Sequence, residues 1–395
     1  MGRGYSRTEA RKAADGTVRI TNLHDFRDLS YLAFVWSCEA DGEPLATGTL
    51  DVPALAPGES ADLELPAPPA VSDGAEVQWT LRAVLAEDMP WAAAGHLIAW
   101  GQHSVSPRRS LPVARGQAPT AANGVIVLGP ATFDAHTGVL TRLGSVPLAG
   151  PRLDVWRAPT DNDQGADRHT EQQYDRLWRQ LGLHRIRHRV DGVELTRDAL
   201  TVRTRVAPAG TALGLSTVYR WTADTDRLRL TVSVTPDGDW RVPLPRLGIR
   251  LGLPAAFGSA EWFGGGPGEA HPDTATASLI GRYRMRVDDM QTPYVRPQEN
   301  GARPDVRRAQ LSGGGATVQI DGEPAFWFTA RRWTTERLDA ASHLSDLAPG
   351  DTVWVHLDHA VDGIGSASCG PGVLPRYQLL AAPAEFSIVL SSTQR

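Results

Sequence analysis

Lysine is almost missing from this sequence: Lys12 is the only one, so 39 of the 40 basic residues are arginine. With 45 acidic residues the formal net charge is −5. No basic run is long enough to track a phosphate backbone, which argues against a nucleic-acid partner. The arginine bias fits a GC-rich genome better than an arginine-dependent function. Cysteine is nearly as scarce. Cys38 and Cys369 lie far apart and lack zinc-ligand spacing, so neither a disulfide framework nor a zinc site is expected. No apolar run approaches the roughly 18 residues that a membrane-spanning helix needs. The opening stretch MGRGYSRTEARKAADG carries basic charge but no apolar core, unlike a secretory signal. The expectation is a soluble, cytoplasmic chain that engages neither nucleic acid nor membrane. Internal repeats and low-complexity tracts are missing too.

What is present reads almost entirely as β-structure. The 395 residues suit two or three domains, and 41% hydrophobic residues with 12 Trp can fill real cores. In the first hundred, YLAFVWSCEA (31–40) and PLATGTLDV flank Asp41-Gly42, a hairpin signal. EVQWTLRAVL (76–85) alternates Val77, Trp79 and Leu81 with Gln78, Thr80 and Arg82, which predicts one apolar and one polar face. Short strands with frequent turns predict an immunoglobulin-like β-sandwich over 14–106, after a tail at 1–13. Residues 107–124, rich in Pro, Arg, Ala and Gly, read as a linker. Strands resume from Val125, for example LRLTVSVTP (228–236) and EFSIVLSS (385–392), and predict a large two-sheet β domain over 125–395. One helix is expected in TEQQYDRLWRQLG (170–182). Tyr174, Leu177, Trp178 and Leu181 share a face, Thr170 and Gln173 have capping-box spacing, and Gly182 sits at the C-cap.

Several stretches invite a chemical reading. RAPTDNDQG (157–165) sets Asp161 and Asp163 either side of Asn162, as a calcium loop sets oxygen ligands on alternate residues. Such a loop wants Gly at its sixth position and Glu at its twelfth, whereas this one has Ala166 and Gln172. An Asx-rich turn that satisfies its own backbone is the plainer account. WFGGGPGEAHPD (262–273) is glycine-rich but lacks the GK[ST] of a phosphate loop, and reads as a loop where backbones approach closely. Tyr294, Glu299 and Asn300 sit among three prolines in 288–307, in a loop suited either to presenting a carbohydrate surface or to buttressing its neighbours. His184 and His188 are spaced i, i+4 but lie beyond the expected helix end. His356 and His359 flank Asp358 without a third ligand. A retaining glycosidase needs two carboxyls about 5–5.5 Å apart, and nothing in the sequence pairs any two acids. No GxSxG elbow occurs.

RAPTDND resembles a signature of the C-terminal domain of the large, lac-type β-galactosidases, glycoside hydrolase family two. Four further stretches agree in order: DGEPLATG, AGHLIAWGQ (94–102), TPYVRPQENG (292–301) and DGIGSASCGPGVLPRYQL (362–379). The resemblance runs from about residue 17 to the C-terminus. It implies a sandwich domain followed by a galactose-mutarotase-like supersandwich, and it makes Arg157, Asp161, Asn162 and Asp163 a structural signature. It also implies an absence. The family's catalytic glutamates sit in a (β/α)₈ barrel, the acid/base after an Asn, and this chain has neither an Asn-Glu dipeptide nor the alternation a barrel requires. No catalytic residue and no metal site are therefore expected here, and the Mg²⁺ and monovalent cation of a complete enzyme would be bound mainly by the barrel.

The resemblance places one functional position in this chain. A loop that reaches the aglycone side of the sugar site carries a tryptophan in the best-known members, and the matching position is Cys369, beside Ser368. A thiol offers no aromatic face for stacking. His271 and Ala270 stand where the family often has Tyr and Asn. The leading expectation is a non-catalytic C-terminal part, or small subunit, of a retaining β-galactosidase that joins a barrel-bearing chain, handles galactosides only as part of it, and is inactive alone. Oligomerisation stays open. The alternatives are a stand-alone carbohydrate-binding module and a mutarotase- or epimerase-like enzyme.

Overall fold

The computed structural model describes residues 8–12, 17–67, 69–71, 74–106, 116–165 and 173–394. The chain divides into two compact units. Most of the tail 1–13 and the first half of the linker 107–124 lie outside the described residues.

The first unit holds β1 (Thr8–Lys12), β2 (Val18–Asn22), β3 (Leu32–Ala40), β4 (Glu43–Leu50), β5 (Ser60–Leu63), β6 (Val77–Leu85) and β7 (Leu97–Ser106). They form two sheets, β1-β2-β5 and β4-β3-β6-β7. Val18 and Ile20 of one sheet share a core with Leu32, Phe34, Leu81, Ala83 and Ala99 of the other, so the unit is a β-sandwich. Asp41 and Gly42 both take positive φ, 48° and 80°, the two-residue turn whose twist suits a tight hairpin. The expectation of a polar outer face on β6 needs correction. Gln78 and Thr80 are buried with the apolar residues, and each is satisfied: Gln78 donates to Glu76 (2.7 Å), and Gln102 donates to Thr80 (2.9 Å). Alternation marks which side chains share a face but not whether something covers that face. Cys38 is a buried thiol packed with Val77 and Trp79.

The second unit begins with a five-stranded sheet of β8 (Thr120–Ala122), β9 (Val125–Leu128), β10 (Ala131–Asp134), β11 (Leu140–Leu143) and β12 (Val146–Pro147). A twelve-stranded sheet follows: β13 (Ala149–Asp154), β14 (Arg187–Leu195), β15 (Leu200–Ala207), β16 (Gly214–Ala223), β17 (Arg227–Asp237), β18 (Arg246–Pro254), β19 (Ser259–Gly266), β20 (Leu279–Arg286), β21 (Arg303–Gly313), β22 (Ala316–Arg331), β23 (Thr352–Val361) and β24 (Ala384–Gln394). Its main path runs β13-β18-β23-β22-β24-β17-β16-β15-β14, with β19, β20 and β21 branching from β22. The strictly alternating burial of β17 puts Leu228, Leu230, Val232 and Val234 into one core with Phe133 and Leu140 of the small sheet. Phe133 meets Trp221 edge-on, centroids 5.1 Å apart. Sheet packs on sheet, and the fold is all-β, as the strand pattern and turns predict.

Three short helices interrupt the strands: α1 (Asp161–Gln164), α2 (Tyr174–Leu181) and α3 (Thr335–Ala340). The expected helix is thus shorter at its start. Thr170 lies outside the described residues, and Gln173, at the N-cap, makes no side-chain capping bond. Gly182 ends it in the left-handed conformation (φ 78°), its N–H returning to Arg179 and Trp178. Tyr174 stacks on Trp178, which meets Trp156 edge-on, so this helix carries its own small core. A second correction concerns the glycine-rich stretch. Trp262–Gly266 is not loop but the end of β19. Its glycines are needed because a Cβ on Gly264 would lie 2.5 Å from the Val306 Cα of β21.

Candidate functional site

The signature residues leave β13 and turn at once into α1, where they meet the loops 292–301 and 362–371. Thr160 caps α1: its hydroxyl accepts from the Asp163 N–H (3.2 Å) while the Asp163 carboxylate accepts from the Thr160 N–H (2.8 Å). This capping box explains the helical turn. Asp163 also receives Arg157 Nη2 at 2.6 Å, and both side chains are buried. Arg157 donates further to the carbonyls of Asp362 (2.8 Å) and Gly363 (3.0 Å), anchoring the start of the second loop. Asn162 holds the rest of that loop. Its amide donates to the Gly365 carbonyl (2.9 Å), and its oxygen accepts from the Ser368 N–H (3.2 Å) and hydroxyl (2.7 Å). Asp161 is exposed and exchanges two longer bonds with Gln298 of the first loop, 3.1 and 3.2 Å. The stretch Asp161–Asp163 therefore grips two loops, and the next residue along the second loop is Cys369.

Cys369 is exposed, at the tip of a turn closed by the Cys369 and Gly370 N–H groups on the Ser366 carbonyl (3.0 and 2.6 Å). Ser368 is exposed as well. Asp273 supports the other side of the same loop, accepting from the N–H groups of Ile364 (2.9 Å) and Gly365 (2.6 Å). Burial pushes Asp362 up to about 7, against the pull of Arg157. His271 is buried nearby, and burial lowers its pKa. Among the described residues no group of three or more His, Cys, Asp or Glu is arranged to hold a metal ion. Asp163 is already engaged by Arg157 and Thr160.

The three loop residues 294, 299 and 300 part company. Tyr294 keeps 38% of its surface and donates to Glu269 (2.5 Å). Glu299 and Asn300 turn inward and are buried, so neither offers a polar atom to a surface ligand. Glu299 is clamped by Arg246 (2.9 Å) and Arg331 (2.5 Å). Burial alone would raise its pKa, but these two guanidiniums outweigh it and hold the carboxyl at about 2. Arg246 also donates to His356 Nδ1, which leaves the imidazole proton on Nε2, 3.4 Å from the Thr335 hydroxyl. His356 is fully buried, and burial followed by the surrounding arginines drives its pKa well below the ordinary value. Asp358, 3.7 Å from Arg246, is raised to about 7 by burial. His359 stacks on Phe386. His184 lies in a 3-10 turn and His188 in β14, so no helix pairs them.

Sequence reasoning missed Arg246, Arg331, Gln298, Asp273 and Asp362. A signal exists for the two arginines: each interrupts an otherwise apolar strand, PLPRLGIRLGL and FWFTARRW. An isolated charge in such a run needs a buried partner. For the acids and Gln298 nothing local distinguishes them from surface residues.

The arrangement positions loops and leaves no described carboxylate pair open for hydrolysis. Comparisons agree with that reading of a supporting portion. A family model described as beta galactosidase small chain matches residues 130–390, and one described as beta-galactosidase, domain 4, matches 18–106. The chain is 34% identical to a beta-galactosidase of Arthrobacter sp. (strain B7) over 93% of its own length and 38% of that protein's. It is 29% identical to that of Kluyveromyces lactis, covering 96% and 37%, and 33% identical to that of Vibrio cholerae, covering 91% and 36%. It thus spans well under half the length of these curated relatives. A solved galactose mutarotase related enzyme from Lactobacillus acidophilus aligns with 70% of this chain and 97% of its own at 9% identity and a TM-score of 0.34, too low to carry an argument. Among the described residues no helix is long and apolar enough to cross a membrane. On the extent of the small-chain match, this chain belongs to the β-galactosidase family and corresponds to its C-terminal, small-chain portion.

Proposed function

We propose that this chain is the non-catalytic C-terminal part, or small subunit, of a retaining β-galactosidase. It would complete a chain bearing the catalytic barrel and shape the aglycone side of the active site for galactosides such as lactose. The observation that carries this reading is coverage: nearly all of this chain matches little more than a third of full-length relatives. The Asn162 grip on Gly365 and Ser368 supports it, because it holds the turn presenting Cys369 in one conformation. Cys369 in place of an indole gives the acceptor sugar no stacking surface, so acceptor binding is expected to be weak. Mg²⁺ and a monovalent cation belong, in this reading, to the barrel-bearing chain. The test is hydrolysis of nitrophenyl-galactoside by the purified chain, alone and mixed with a barrel-bearing chain from the same source. Turnover only in the mixture supports the proposal, and robust turnover by this chain alone overturns it.

A further inference from the structure

Away from the loop cluster, the second unit contains a cavity of about 120 Å³ lined by Arg152, Asp154, Trp156, His184, His188 and Arg250, with Arg185 and Glu336 at its margin. It lies between β13, β18, the 3-10 turn Leu183–Arg185, the start of β14, and α3. Four buried polar atoms of its lining lack a hydrogen-bond partner: Asp154 Oδ2, Trp156 Nε1, His184 Nδ1 and Arg250 Nε. Buried polar atoms are nearly always satisfied, so orphans that converge on one polar cavity point to an occupant. The space equals about four waters at about 30 Å³ each, which also suits one small polyatomic ion and excludes a disaccharide.

The charges around the cavity select the kind of occupant. Both acids are already engaged by one arginine. Arg250 holds Glu336 through two bonds of 3.0 Å and stands 3.5 Å from Asp154. Arg152 and Arg185 make no ion pair with any described residue, so three guanidiniums face two carboxylates. Partial burial and the adjacent charge of Arg250 lower Arg152 below the usual arginine range. His188 is held neutral, at about 4, by burial and then by Arg152 and Arg250. The cavity therefore has one unmatched positive charge, plus neutral N–H donors on Trp156 and an imidazole.

We propose that this cavity binds a small oxyanion, a phosphate or a carboxylate, with Arg152 as its charged ligand and Trp156 and His188 as neutral donors. Arginine matches the planar or tetrahedral oxygen arrangement of such groups with paired N–H bonds. The assignment does not depend on the galactosidase reading, since every group invoked lies in the second unit of this chain.

The test is a histidine side-chain NMR titration of the full chain at neutral pH, with inorganic phosphate and with acetate in separate arms. Chloride keeps ionic strength constant, and His184→Gln and His188→Gln assign the resonances. Saturable shifts of both resonances are expected in at least one arm, and the arm that saturates identifies the chemistry. Arg152→Gln, a change at the surface, should weaken that binding tenfold or more, about 1.4 kcal/mol. Equal responses to phosphate, acetate and chloride overturn the proposal, as does unchanged affinity in a folded Arg152→Gln variant. If that variant does not fold, the titration of the unaltered chain decides the matter alone.

Discussion

Within Asp161–Asp163 the structure shifts the critical residue from Asp161 to Asp163, and replacing Asp163 by Ala tests the shift. Arg157 and Asp163 form a fully buried ion pair at 2.6 Å. Removing the carboxylate leaves Arg157 buried with only two neutral carbonyl acceptors, and it unsatisfies the Thr160 N–H as well. Breaking a buried pair by removing one partner costs about 3–5 kcal/mol, and losing half of a capping box adds about 1. The expected loss is about 4 kcal/mol or more in the second unit. Asp161→Ala, which removes only an exposed carboxylate with a 3.2 Å contact to Gln298, should cost about 0.5 kcal/mol, in the range of ordinary surface changes. Urea denaturation followed by Trp fluorescence measures both. Two units can unfold separately, so the comparison rests on the shift of the affected transition and not on one global free energy. The reasoning fails if the two variants are equally destabilised, or if Asp163→Ala costs less than about 1 kcal/mol.

Four further outcomes are expected. Asp358 and Asp362 are raised to about 7 from 3.8, so the folded state binds more protons than the unfolded one between those values. Stability of the second unit should therefore fall as pH rises from about 4 to 7, and Asp358→Asn should flatten that slope in a melting-temperature series. Glu299, at about 2 against 4.5, acts oppositely: its contribution is present above pH 4.5 and lost as pH falls toward 2, so Glu299→Gln should destabilise at neutral pH and much less at the acid end. Asn162→Ala should speed amide hydrogen exchange at Gly365 and Ser368 while lowering stability by about 1 kcal/mol. Cys369→Trp, at an exposed turn, should leave the melting temperature unchanged. In the galactosidase reading it should also strengthen glucose inhibition of the assembled enzyme.

Much of the architecture was legible in local pattern. Asp41-Gly42 placed a hairpin, Gly182 ended a helix, and the alternation of 228–234 named the inward residues of β17 correctly. These are short-range effects, set by which φ a residue tolerates and which side chains share a face. The failures share one cause. Gln78 and Thr80 were assigned to solvent, Trp262–Gly266 to a loop, and Glu299 and Asn300 to a surface available for sugar. In each case the answer depends on a segment distant in sequence that covers, pairs or clamps the residue. Gly264 belongs in a strand only because Val306, 42 positions later, comes so close.

The sequence by itself determined the β-rich class, the family, and the lack of the barrel's catalytic acids, because composition, periodicity and ordered motifs are properties of the chain read in one dimension. Tertiary structure alone decided what the motif residues do. Asp163 neutralises Arg157 and closes a cap, Asn162 reaches 206 positions along the chain to Ser368, and Glu299 joins two arginines from different strands. Charge pairing and burial depend on separation in space, and once the chain folds that separation bears no fixed relation to distance along the sequence.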